Sequence, residues 1–152
     1  GIMTDYHHME PVLIRKEVPG FASNRLQYAL LREALHLVAE GVVSAEDVDR
    51  TLKNGVGFRY PWLGPLETAD LGGLDVFCNV GQYLIPALSN VEAMPAILGD
   101  LVADGRLGIK TGEGFFHYEP GSRDEILRDR DLYFVRQLKL IRELRARRGG
   151  ET

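Results

Sequence analysis

The chain has 152 residues, 45% hydrophobic and 26% charged, a balance typical of a globular domain long enough to bury a core, which excludes a wholly disordered chain. Eighteen Lys and Arg against 22 Asp and Glu leave a net charge of −4, so nothing in the composition points to nucleic acid or an anionic membrane surface. The single cysteine, Cys78, excludes an internal disulfide and a Cys-rich metal site. No apolar run reaches the length of a membrane span, and the first nine residues lack the basic and apolar regions of a secretory signal. A cytoplasmic setting is the resulting expectation.

Residues 1–10 read as a disordered start or cloning remnant, Gly1-Ile2 preceding Met3. Residues 11–18 follow, with Pro11-Val12-Leu13-Ile14-Arg15-Lys16 predicted as one strand without an obvious partner, ending at the turn signal Val18-Pro19-Gly20. Residues 19–150 form the main domain. A helix is predicted from about Asn24 to Glu40, apolar on more than one face and therefore central and largely buried, with Gly41 as its stop. Ser44-Ala45-Glu46-Asp47 resembles a capping box with Asp in place of Glu, opening a helix that Gly55 ends. Residues 55–65 hold three glycines, two prolines and three aromatics, which predicts an ordered, irregular loop.

Short helices are expected over Leu66–Leu71 and Leu74–Leu88, the second starting near Gly73 or Asp75. Ser89 or Asn90 caps a further helix that ends near Asp104-Gly105, with Pro95 in its first turn. Leu107–Tyr118 reads as a loop. Ser122-Arg123-Asp124-Glu125 is a capping box for a last helix of roughly 25 residues, in which Leu127, Phe134, Leu138, Ile141 and Leu144 keep helical spacing. Five or six helices and one orphan strand make the architecture all-α.

Without reference to any family, the chemical signal is weak. There is no Gly-x-Gly-x-x-Gly after a strand, no phosphate-binding loop and no His-Glu-x-x-His. Of the four histidines, His7 and His8 fall in the starting segment, His36 fits packing or surface roles, and His117 follows Phe115-Phe116 in a loop. No metal set emerges. Arg59, flanked by Phe58 and Tyr60, either grips a carboxylate or phosphate with its planar fork or stacks on Tyr60 or Trp62. Lys110 and Thr111 either meet an anion or serve a turn. Asn24 is also a favoured helix-capping type.

Four blocks then occur in a familiar order. They are Pro19-Gly20-Phe21-Ala22-Ser23-Asn24-Arg25-Leu26, Glu40-Gly41-Val42 through Glu46-Asp47-Val48-Asp49, Gly64-Pro65-Leu66-Glu67 with Asp70 and Gly73-Leu74-Asp75, and Lys110-Thr111-Gly112-Glu113-Gly114-Phe115-Phe116. Over about residues 11–118 the chain resembles the C-terminal domain of 3-hydroxyacyl-CoA dehydrogenases. The inserted Phe58-Arg59-Tyr60-Pro61-Trp62-Leu63, Leu26-Gln27-Tyr28-Ala29 and Gly64-Pro65-Leu66-Glu67-Thr68 resemble the L-gulonate 3-dehydrogenase (lambda-crystallin) branch.

The resemblance implies an all-α, partly orthogonal multi-helix bundle of the 6-phosphogluconate dehydrogenase C-terminal-domain-like fold. Residues 11–18 then resemble the last strand of a missing NAD-binding domain, supplied in cis or trans, which would also carry the catalytic His-Glu pair. The implied role is substrate binding and homodimerisation in an enzyme oxidising 3-hydroxyacyl-CoA to 3-oxoacyl-CoA in fatty-acid metabolism. The isolated chain would be inactive and would not hold NAD by itself. Asn24 is implied as the catalytic group beside the reacting oxygen, where an amide donates without titrating. Ser23, Tyr28, Arg59 and Lys110 are implied substrate-binding residues, Arg59 suiting a free carboxylate. Two alternatives stay open: a dehydrogenase of free 3-hydroxy acids, gulonate- or carnitine-like, and a non-catalytic interaction module.

Overall fold

The computed structural model describes residues 12–149, so the expectations for residues 1–10, including His7 and His8, lie outside the described residues, as does Pro11. Among the described residues the structure is helical, with seven α-helices, one 3-10 turn and no strand. Residues 12–18 run as irregular chain with a bend at Arg15-Lys16. This corrects the strand expected there, because extended chain becomes a strand only against a ladder partner, and no described residue supplies one.

Val18-Pro19-Gly20-Phe21 forms a turn closed by the Phe21 N–H donating to the Val18 carbonyl at 3.0 Å. Pro19 supplies the fixed φ of its second position, and Gly20 takes φ 78°, ψ 0° at its third, as a type II turn requires. The turn delivers the chain into α1, Phe21–Ala39, whose N-cap is Gly20. The helix therefore starts three residues before the expected Asn24. Gly41 ends it at φ 67°. Its N–H donates to the Val38 carbonyl and that of Val42 to Leu37, a Schellman closure.

Helix α2, Ala45–Asn54, begins at Ser44, whose hydroxyl accepts from the Asp47 N–H at 3.1 Å. Asp47 turns its own carboxylate to Arg50, so the box is half formed. The loop expected over residues 55–65 contains a single helical turn, α3, Val56–Arg59. Helix α4, Pro65–Gly72, has Pro at its first position, and the Glu67 carboxylate accepts from the Gly64 N–H at 2.7 Å. Gly73, at φ 95°, passes directly into α5, Leu74–Leu84, which tightens into the 3-10 turn Ile85–Ala87.

Residues 88–95 are not helical, and Ser89 and Asn90 open no helix. Pro95, at ψ 136°, is itself the N-cap of α6, Ala96–Ala103. A proline pushes the residue before it out of helical geometry, so the helix cannot start earlier. A second Schellman closure, through Gly105 and Arg106, ends α6. The Ser122 hydroxyl donates to the Glu119 carbonyl ahead of the last helix, α7, Arg123–Gly149, which is roughly 40 Å long. No described helix is long and apolar enough to cross a membrane.

Helix α1 packs on α2 and α6, α2 on α3, and α4 on α5. The expected burial of α1 is not met. Leu35, at 4% exposure, is the one buried apolar residue among those described, whereas Leu26 is 65% and Tyr28 58% exposed. The accessible surface is 12800 Å², against about 7,700 Å² for a monomer of this mass folded on itself. The apolar faces read from the sequence are real, but most have no cover within the chain.

Candidate functional site

One side of α1 and the segment 91–95 face each other across a cavity of about 580 Å³. From α1 come Asn24, Tyr28, Leu31 and Leu35, spaced three or four residues apart and hence in line on one helical face, with Arg25 and Arg32 on the adjoining ridge. Val91, Glu92, Met94 and Pro95 form the facing wall. Pro19 and Gly20 close the end beside Asn24.

Asn24 lies within α1, four residues beyond the N-cap Gly20. That excludes the capping role its residue type allows. Among the described residues its amide has no hydrogen-bond partner, so it is free to meet a ligand in the cavity. Tyr28 shares the cavity. Ser23 is exposed one position before Asn24, and a step of one residue turns it away from the lining.

Arg59 and Lys110 are exposed and lie outside this cavity. Arg59 ends α3, and among the described residues it stacks on no ring and joins no ion pair. Its neighbour Phe58 is 76% exposed. The loop around it instead meets the last helix, where Phe58, Trp62, Tyr133, Leu140 and Ile141 line a second cavity of about 670 Å³.

Thr111 serves its turn. Its hydroxyl accepts from the Leu107 N–H at 2.9 Å and lies 3.2 Å from the Glu113 carbonyl. Next to it, Gly114 lies against Gly108 so closely that a Cβ would sit 2.7 Å from the Gly108 Cα. The glycines of this block therefore serve a close backbone crossing. His117 pairs at the surface with Glu119 at 3.5 Å. His36 sits in the last turn of α1. No cluster of metal-ligating side chains occurs among the described residues.

Sequence reading missed Arg25, Arg32 and the facing wall. The arginines were legible as the positions one and eight beyond Asn24 on a single helix. The wall was not, because it depends on a contact between α1 and a segment more than fifty residues away.

The sequence profile of the 3-hydroxyacyl-CoA dehydrogenase C-terminal domain matches residues 20–118. The chain belongs to the 3-hydroxyacyl-CoA dehydrogenase C-terminal-domain family. A 5-formyl-3-hydroxy-2-methylpyridine 4-carboxylate 5-dehydrogenase from Mesorhizobium japonicum is 37% identical over 134 residues, 88% of this chain and 42% of the relative. Rabbit (Oryctolagus cuniculus) lambda-crystallin is 48% identical over 95 residues, 60% of this chain and 30% of the relative. The crystal structure of a 5-formyl-3-hydroxy-2-methylpyridine 4-carboxylic acid 5-dehydrogenase, an NAD+-dependent dismutase, matches with a TM-score of 0.87 at 33% identity, over 93% of this chain and 47% of that one. The chain thus spans less than half the length of these relatives.

The family is one of NAD-dependent oxidoreductases. The described residues do not offer the cofactor a cradle. Dinucleotides rest on a glycine-rich turn between a parallel strand and a helix, and there is no strand here. The positive-φ glycines lie at turns, at helix ends and at the joint between α4 and α5. Around one cavity this domain presents an unpartnered amide, a phenol and two guanidinium groups.

Proposed function

We propose that this chain is the substrate-binding and pairing half of an NAD-dependent dehydrogenase that oxidises a secondary hydroxyl to a carbonyl. The observation that carries this reading is Asn24, unpartnered and lining the cavity, inside α1 rather than at its cap. A neutral amide there donates to the oxygen on which charge develops and does not titrate. Tyr28, one turn on, bounds the same space. The domain works with an NAD-binding half in cis or trans, and the large uncovered apolar surface supports pairing with a second copy in a cytoplasmic enzyme.

The family name supports 3-hydroxyacyl-CoA as substrate, in fatty-acid metabolism; in this reading Ser23 and Lys110 are further substrate contacts, while Arg59 suits only a free carboxylate. A free hydroxy acid is the second reading. It is favoured by the carboxylate in the name of the Mesorhizobium relative and by the cations beside Asn24. The test is turnover by the full-length enzyme of 3-hydroxybutyryl-CoA and 3-hydroxybutyrate with NAD, in parent and Asn24→Ala forms. A parent that binds NAD and oxidises neither, nor any longer homologue, supports the interaction-module alternative instead.

A further inference from the structure

Arg25 and Arg32 stand seven positions apart on α1, on one ridge of the helix, and both line the cavity that holds Asn24 and Tyr28. Neither joins an ion pair or hydrogen bond among the described residues. The facing wall contributes one carboxylate, Glu92, which pairs with neither. The charged lining is therefore two cations against one anion, and the space between is apolar, with Leu31, Leu35 and Met94.

The spacing also limits where an anion can be on the ligand. Arg32 is eight residues beyond Asn24, roughly 12 Å along the axis. Both side chains lean toward the N-terminus, and because arginine is the longer of the two its reach back along the helix exceeds that of Asn24, which shortens that span. A thioester of coenzyme A has no charge near its reacting carbon, since a long neutral arm separates its phosphates from the acyl group. A free acid carries its carboxylate a few bonds from the hydroxyl.

We propose that Arg32, assisted by Arg25, grips a carboxylate of the substrate while Asn24 meets its hydroxyl, so that this pair selects free hydroxy acids. A planar guanidinium holds a carboxylate at two points and fixes its orientation. The assignment rests on the dehydrogenase reading above and replaces Arg59 as the residue that reads the acid.

The experiment compares 3-hydroxybutyrate, its methyl ester and 3-hydroxybutyryl-CoA as substrates of the full-length enzyme. Arg32→Met raises KM for the acid by at least about tenfold, the loss falling in KM rather than kcat. Arg25→Met gives a smaller shift in the same direction, and Arg32→Lys recovers part of the loss. The ester and the thioester respond little. Equal changes for acid and ester, no change, a change confined to the thioester, or a parent that oxidises the thioester and no acid each overturn the proposal. A parent that binds NAD and oxidises none of the three overturns the dehydrogenase reading itself. Loss of rate in Asn24→Ala with an indifferent Arg32→Met overturns the carboxylate grip alone. Because both arginines are exposed and unpaired, unchanged melting of the variants separates these effects from misfolding.

Discussion

The Glu33 carboxylate accepts a hydrogen bond from the backbone N–H of Ser89 at 2.8 Å, across 56 positions of sequence. Glu33 lies mid-way along α1, and Ser89 is the one buried polar residue among those described. The bond holds the chain just before segment 91–95, which forms the wall facing Asn24. We expect Glu33→Ala to lower stability by about 1.5–3 kcal/mol, the usual range for a hydrogen bond to a charged partner. Hydrogen exchange at the Ser89 amide should quicken together with that of the wall. Unchanged protection there would mean that packing, not this bond, places the wall.

Two glycines should respond to alanine with opposite signs. Gly20 sits at φ 78°, and a Cβ there would lie 3.4 Å from the Asn24 Cβ. Left-handed backbone costs an L residue about 1–2 kcal/mol, so Gly20→Ala should destabilise by about that much and disturb the approach to Asn24. Gly99 lies within α6, with open space around it and ordinary φ. Gly99→Ala should stabilise by about 0.5–1 kcal/mol, because glycine loses more backbone freedom in a helix. Denaturant midpoints of the two variants against the parent decide both signs.

Asn24→Ala should affect rate far more than folding. Losing a donor at a developing oxyanion costs about 2.7–4 kcal/mol in the chemical step. A lost helix cap costs about 0.5–2 kcal/mol of stability, but Asn24 is not the cap, so the unfolding free energy should stay nearly constant. Rate and stability measured on the same variant settle the matter. A preserved rate would remove Asn24 from the chemistry.

Much of the local structure was legible because it follows from nearest neighbours. Pro19-Gly20 dictates its turn, Ser44 its cap, and Gly41 and Gly105 their Schellman closures. The order of helices followed from these stops. Misreadings arose where competing local signals were close. The helix starts at Phe21 rather than near Asn24, and Phe21 takes φ 48°, the one positive value among described non-glycine residues. Ser89 looked like a cap and is a buried tie to Glu33, while Pro95 sets the start of α6. At the site, Asn24 was legible through its motif. Its neighbours Arg25 and Arg32 needed the helix to be drawn, and the wall at 91–95 needed a tertiary contact that no local pattern encodes.

Apolar residues of α1, α4 and α7 lie bare among the described residues, where the sequence pattern points to burial of α1. In the structure Leu26, Leu66, Leu71 and Phe134 are all exposed, and the surface exceeds that of a self-contained monomer by about 5,000 Å². A stable interface between proteins buries about 1,200–2,000 Å², and obligate dimers about 2,000–5,000 Å². The excess is thus large enough for a second copy and an NAD-binding half together. We expect the protein to sediment as a dimer at micromolar concentration, with a melting temperature that rises with concentration, as mass action requires when folding and association are coupled. A stable 17.0 kDa monomer whose melting is independent of concentration would show that these faces tolerate water, and the pairing role would be lost with it.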